Sequence, residues 1–357
     1  MSRVFVIGAG ASHGESLKLL PGISDGSRFH EPPVTNGFFC RSLLDSLGYG
    51  QAEQDFPEVI AHIRKARVIT DPFGDGKWRE LDLEGILTEI EVEREFENPE
   101  SDRGAELLLI RNKLIRYVRR IIGLCTQSRY GEYSKKLVSA LKTNDSIITF
   151  NWDLLLDQEF ESGNMVWGCY SSFLRKVRPA NEWLDDYLRH DPTDGLFLKL
   201  HGSLNWYRCG NPRCLASTDF TFLRDTHRCL TGVTELCRQC GSDMNPIIVP
   251  PVLRKSIAED PVIRSAWGLA RGILREASRV VVVGFSAAPT DFYAAWLLRS
   301  TVGARGVLIN VINPSNPEAG CARDDSNDFT QRMKSIFPND YDFSLRYFSQ
   351  IDSVLGS

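Results

Sequence analysis

The chain has 357 residues, 42% of them hydrophobic and 25% charged, with a formal net charge of -4. Its length suggests roughly two domains of about 150 residues each, and its composition is that of a globular protein with a substantial core. The acidic balance disfavours nucleic-acid binding through overall electrostatics, no apolar run approaches the ~18–20 residues that span a bilayer, and Arg3 leads into a strand-like run without a secretory pattern. A cytoplasmic protein with no membrane and no direct nucleic-acid contact is expected.

Residues 3–8 read as a β-strand, Val4-Phe5-Val6-Ile7, ending in the glycine turn Gly8-Ala9-Gly10-Ala11-Ser12. The Gly-, Ser- and Pro-rich loop from Pro21 to Pro33 is long for a plain connection, which marks it as a functional candidate. From 36 to 142 the pattern turns helical, with recurrences near period 3.6 over 36–48, 52–66, 82–97, 104–125 and 132–142. A βαβ crossover needs only a dozen or so residues, so these form a helical insertion subdomain. Within it Arg111, Lys113, Arg116, Arg119 and Arg120 make a basic stripe. Opposite it lie Leu107, Ile110, Leu114, Val118, Ile121 and Cys125. The stripe reads first as a solvated face over a core, with a phosphate- or partner-binding face as the alternative.

Strand character returns at Ser146–Phe150, Leu196–Leu200, Arg279–Gly284 and Val307–Ile312. These near-continuous Val/Ile/Leu/Phe runs suit strands buried on both faces. Helical patterns over 153–162, 261–277 and 289–301 separate them, and Asp342–Phe348 alternates weakly as a candidate edge strand. The alternation predicts an α/β fold, a Rossmann-like doubly wound parallel sheet. Its core takes in 1–35, 143–204 and 246–357, with 36–142 as the helical insertion and 205–245 as a cysteine-bearing lobe.

Nine cysteines, an odd number in a chain read as cytoplasmic, argue against a disulfide framework. Four fall in pairs: Cys209 and Cys214, then, after twenty-two residues, Cys237 and Cys240 followed by Gly241. Two close pairs joined by such a spacer point to a Cys₄ structural Zn²⁺ site in a zinc-ribbon lobe. His227 and Cys229, inside the spacer, are possible substitute ligands.

The strand ends carry the remaining chemistry. Asn151 and His201 stand just past the carboxyl ends of two apolar runs, where open α/β sheets bind ligands. The turn at Gly8 is of the kind that lets backbone approach a phosphate, but it departs from GxGxxG. His13 stands where the third glycine would be and Gly14 comes one residue late. No acidic residue ends an obvious second strand about twenty residues on, which disfavours a conventional hydride-transferring dehydrogenase. Gly284-Phe285-Ser286 repeats the glycine turn with a hydroxyl and runs into a helix start at Pro289-Thr290-Asp291. Asn313 ends another strand, suited to ribose or adenine. Together these predict a dinucleotide held over a parallel sheet with an Asn and a His facing it.

These residues resemble the sirtuin-like superfamily. The resemblance rests on GAGAS at 8–12, Phe-Asn-Trp-Asp at 150–153, Leu-His-Gly-Ser at 200–203 with the cysteine lobe after it, Gly284-Phe285-Ser286, and Ile312-Asn313-Pro314. Asn151-Trp152-Asp153-Leu154-Leu155, the Gly284-to-Asp291 stretch, Val249-Pro250-Pro251 with Lys255, and Asp82-Leu83-Glu84 look closest to the sirtuin-like proteins of bacterial antiphage defence. The deacetylase pattern departs: Gly22-Ile23-Ser24-Asp25 replaces Gly-Ile-Pro-x-Phe-Arg, and Phe-Asn-Trp-Asp replaces Gln-Asn-Ile-Asp.

The resemblance implies an NAD⁺ glycohydrolase that depletes NAD⁺, releasing nicotinamide and ADP-ribose or a cyclic product. Asn151 and His201 would be catalytic. Gly8, Ala9, Gly10, Ala11, Ser12, Asp153, Gly284, Phe285, Ser286, Asp291 and Asn313 would line the nucleotide. By its position Asp153 reads more readily as a cap of the following helix than as a chemical group. The resemblance further implies a homo-oligomer, or partnership with a separately encoded ATPase or nucleic-acid sensor. The alternatives are an NAD-dependent protein deacylase and a non-catalytic NAD or ADP-ribose sensor.

Overall fold

The computed structural model describes residues 2–19, 32–34, 37–68, 81–127, 129–162, 195–217, 221–222, 229, 236–249, 260–303, 305–313, 326–338, 342–345 and 347–355. Gly22–Asp25, His227 and Pro250–Lys255, singled out in the sequence, lie outside these. The chain divides into two compact units, one from 1–18, 130–203 and 254–357, the other from 19–129 and 204–253. Among the described residues no helix is long and apolar enough to cross a membrane.

The first unit is built on six strands: β1 (Arg3–Ile7), β2 (Ser146–Thr149), β3 (Phe197–Lys199), β4 (Arg279–Val283), β5 (Leu308–Ile312) and β6 (Asp342–Leu345). Their spatial order is β6-β5-β4-β1-β2-β3, and every pair is parallel. This is the doubly wound order with its switch point between β1 and β4. The central strands are buried on both faces, as their uninterrupted aliphatic runs require: Phe5, Val6, Ile147, Ile148 and Val280 to Val282 are each fully enclosed.

Among the described residues the helices of this unit include α1 (Ala9–His13), α2 (Glu132–Ser139), α3 (Leu155–Ser162), α4 (Pro261–Glu276), α5 (Phe292–Thr301) and α6 (Ser326–Ile336). The last has no counterpart in the sequence reading, although Phe329, Met333 and Ile336 recur at helical spacing and are buried. Glu15 accepts from the amides of Tyr133 and Ser134 and from the Ser134 hydroxyl at the start of α2. Burial nonetheless pushes its carboxyl above the ordinary range.

At the amino ends of the strands Arg3 grips Asp145. Its Nε donates to both carboxylate oxygens at 3.1 and 3.0 Å, and a terminal nitrogen reaches Oδ2 at 2.5 Å. The other guanidinium donors cap the carbonyls of Leu355 and Ala140. Both side chains are almost fully enclosed, at 6% and 1% exposure. Truncating one partner leaves a buried charge without its counterion, so Arg3→Met is expected to lose about 3–5 kcal/mol, read as a lowered denaturant midpoint.

The second unit holds helices Pro57–Arg67, Leu83–Phe96 and Asp102–Thr126, and a three-stranded sheet in which Gly202–Cys209 lies between Thr221–Phe222 and Met244–Ile248. The longest helix buries Leu107, Ile110, Leu114, Val118, Ile121 and Cys125, as its spacing predicts. The basic stripe opposite is engaged within the unit. Arg111 pairs with Glu91, Lys113 with Glu58 and Arg116 with Asp243. Arg119 donates twice to the Cys229 carbonyl, and Arg120 lies over the Tyr49 ring. All five cations thus have intramolecular partners, and none is exposed: Arg119 is buried and the other four half-buried, so the stripe is an internally paired face and not the solvated one that its spacing suggests.

Candidate active site

The sheet register aligns the functional strand ends. Ile7 pairs with Thr149 and Val283, Thr149 with Lys199, and Val283 with Ile312. One row across five strands therefore precedes the candidate residues: Gly8, Gly284 and Asn313 follow it by one position, Asn151 and His201 by two.

Glycine at the switch point is a packing requirement. Gly284 has φ +62°, and a Cβ there would lie 2.0 Å from the Ala11 amide nitrogen; one at Gly8 would lie 2.7 Å from the Gly284 carbonyl oxygen. Gly8 donates to the Val283 carbonyl, Gly10 to Gly284 and Ala11 to Gly8, so these amides serve the turn itself. Ala9 opens the short α1 helix beside them.

Asn151 lies at the centre of a buried network. Its Nδ2 donates to the Gly8 carbonyl at 3.0 Å and to Ser12 Oγ at 2.8 Å. Ser12 Oγ donates to Asp153 Oδ2 at 2.7 Å, and Asp153 Oδ1 accepts from the Leu155 amide at 3.1 Å. Asp153 thus caps α3, as its position suggested, and also fixes the site. A carboxylate only accepts, so it takes the single Ser12 proton and leaves Ser12 Oγ to accept from Asn151. The amide of Asn151 is thereby set in one orientation. Its Oδ1 is buried, with no hydrogen-bond partner among the described residues, in a side chain only 8% exposed. An orphaned buried acceptor costs about 1–3 kcal/mol unless water or a ligand supplies a donor. Asn151, Ser12, Asp153, Thr149 and Lys199 line a cavity of about 10 Å³, the room of one water.

His201 is 2% exposed and set among aromatic rings, with centroids of Phe150 and Trp267 at 5.1 and 6.3 Å. Trp267 is itself anchored by its indole N–H on the Leu200 carbonyl at 2.8 Å, and Phe285 packs on Phe150 at 5.2 Å. Asp291, at the start of α5, makes no capping bond there. Its Oδ1 lies 3.6 Å from His201 Nε2, too long for a good hydrogen bond but close enough to stabilise an imidazolium. Asn313 donates to the Phe285 carbonyl at 3.2 Å and so braces the Gly284 turn, while Ser286 is exposed.

Sequence reasoning passed over Lys199. Its position in an apolar run marks it only as a strand residue, yet it is 1% exposed and forms an ion pair with Asp157. The one signal for it was a cation interrupting the run Leu196-Phe197-Leu198-Lys199-Leu200.

In the second unit the sulfurs of Cys209, Cys214, Cys237 and Cys240 all lie within 4.8 Å of one another. Cys229 is buried but is not part of this cluster. The second pair sits on a tight turn: Gly241, at φ +72°, donates to the Cys237 carbonyl, and the Cys237 amide donates to Ser242. Burial pushes the Cys209 thiol up to about 12, while hydrogen bonds from Ser242 pull Cys240 down to about 6. Four sulfurs so close cannot all ionise unaided, and a divalent cation would draw off their protons. The donor set therefore fits a structural Zn²⁺.

No family model matches the chain, and no curated protein matches it. Among solved structures it is similar to a Sir2 homologue in complex with NAD, at 16% identity over 99% of this chain and 88% of that one, with a TM-score of 0.47. It is also similar to a mutant Sir2 homologue complexed with 2'-O-acetyl ADP-ribose, at 17% identity over 83% and 88% of the two chains, TM-score 0.42. A third is Sir2Tm bound to a propionylated peptide, at 16% identity over 99% and 92%, TM-score 0.36.

Proposed function

We propose that the chain is an NAD⁺ glycohydrolase whose reaction centre is Asn151 and His201. The observation that supports this most is the buried, orientation-locked Oδ1 of Asn151, which has no donor among the described residues at the carboxyl edge of a doubly wound sheet. In this reading Asn151 accepts a hydrogen from the attacking water and aims its oxygen at the anomeric carbon. The nicotinamide–ribose bond breaks with oxocarbenium character, and nicotinamide leaves with the bonding electrons as a neutral base. The water oxygen bonds to the anomeric carbon, and its proton passes to His201, whose imidazolium is stabilised by Asp291. Ser12 and Asp153 hold the amide in register, while the turns at Gly8 and Gly284 shape the floor beneath the dinucleotide.

We further place the chain as a cytoplasmic effector of bacterial antiphage defence. It would act as a homo-oligomer or with a separately encoded ATPase or nucleic-acid sensor, as its resemblance implies. The direct test is incubation of the whole chain with NAD⁺, following products by chromatography. Nicotinamide and ADP-ribose, or its cyclic form, are expected in equal amounts without any peptide. Nicotinamide release only on addition of an acyl-lysine peptide would make the chain a deacylase, and tight NAD⁺ binding without turnover would make it a sensor.

A further inference from the structure

We propose that Lys199 is a positioning residue for this reaction, tying the turn that carries Asn151 to the last residue of β3. Its Nζ donates to the Asp153 carbonyl at 2.5 Å and to Asp157 Oδ2 at 2.8 Å, and both side chains of the ion pair are 1% exposed. One ammonium therefore pins residue 153 and the first turn of α3 together. Stability alone is a weak reason for such a pair, because well-packed apolar residues of similar volume serve a core as well or better. What an apolar residue could not do is hold a main-chain carbonyl two residues beyond Asn151.

The chain of bonds leads directly to the reactive atom. Lys199 fixes the Asp153 main chain, the Asp153 carboxylate takes the Ser12 proton, and Ser12 then accepts from Asn151 Nδ2. Release of the Asp153 carbonyl would let residue 153 turn and its carboxylate leave Ser12. The Ser12 hydroxyl would then be free to donate, and the Asn151 amide free to rotate. Lys199, on β3, and Asn151, in the turn after the neighbouring β2, line the same small cavity.

This inference rests on Asn151 orienting the attacking water, and its test separates the two claims. Lys199→Met alone would strand a buried carboxylate, so the informative variant is Lys199→Met/Asp157→Leu, which removes both charges. It is expected to melt within a few degrees of the parent, to keep its KM for NAD⁺, and to lose kcat by about 10- to 100-fold. Independently of turnover, hydrogen exchange of the Asn151 side-chain amide, followed by NMR and assigned through its absence in Asn151→Ala, should become about tenfold faster, the bonds that protect it having loosened. Parent-like kcat together with parent-like exchange would overturn the proposal while leaving the glycohydrolase reading standing. If the parent itself leaves NAD⁺ intact, that reading fails, and the exchange comparison decides only whether Lys199 orients the Asn151 amide: faster exchange supports that coupling, and unchanged exchange removes it.

Discussion

Removal of the metal from the four-cysteine cluster should unfold the cysteine lobe of the second unit. Structural zinc contributes about 10–16 kcal/mol to small metal-bound domains, against a typical total stability of about 5–15 kcal/mol. The apolar side chains of this lobe, Trp206, Tyr207, Ile247 and Ile248, are buried along its strands, while the cysteine turns lie at its surface. Cys240 is exposed and Leu215 and Leu236 beside the ligands face solvent, so the sulfur geometry is what holds the two turns together. Metal analysis of purified protein should find about one zinc per chain. Treatment with a strong chelator, or Cys237→Ser, should make the segment around 205–245 sensitive to protease. Acid should release the metal as well, because thiolates that reprotonate no longer bind it. Well under one zinc per chain, with the lobe still resistant to proteolysis, would sink the assignment.

Asn151→Ala should reduce NAD⁺ hydrolysis by at least about 10³-fold, equivalent to about 4 kcal/mol of transition-state stabilisation. The fold should survive, since Asn151 lies beyond the last ladder pair of β2 and its side chain makes polar contacts to the Gly8 turn and Ser12 and is no part of the apolar core. Asn151→Asp is the sharper variant. It keeps an oxygen where Oδ1 is, but it replaces the donating nitrogen with a second oxygen facing the Gly8 carbonyl and Ser12 Oγ, close to the Asp153 carboxylate. It should therefore be as inactive as the alanine variant, although it is nearly identical in shape. His201→Ala should lose about 10²- to 10⁴-fold, the range of a general base. Parent-rate turnover in both the Asn151 and His201 variants would show that the chemistry lies elsewhere in the chain.

The parallel sheet was legible because its strands are apolar on both faces and end in glycine or a small polar residue. Five of the six strands read clearly, and the edge strand Asp342–Leu345 read weakly because an edge tolerates mixed residues. The helix Ser326–Ile336 was hidden by its polarity: Phe329, Met333 and Ile336 are spaced correctly, but Asn, Asp, Gln, Arg and Lys surround them. The strand Gly202–Cys209 was missed because Ser203, Asn205 and Arg208 interrupt any aliphatic run. At the site, residue types and strand ends were readable, whereas partners were not. Spacing cannot reveal that Asp153 serves α3 and Ser12 at once, or that Lys199 turns inward. Such pairings join residues from distant parts of the chain, as Ser12 and Asp153 do, and only the folded sheet brings them together.

The place of β1 in the sheet has a consequence for biosynthesis. β1 is an inner strand of the sheet, and its two neighbours, Ser146–Thr149 and Arg279–Val283, both follow it far along the chain. Translation at about 5–20 residues per second leaves Val4 to Ile7 without their second flank until Arg279–Val283 has been made. Gly8 and Gly284 meet only after that point. A product that stops before Arg279 lacks one flank of β1 and the Gly284 turn that packs against Gly8 and Gly10, so the centre of the sheet cannot close in it.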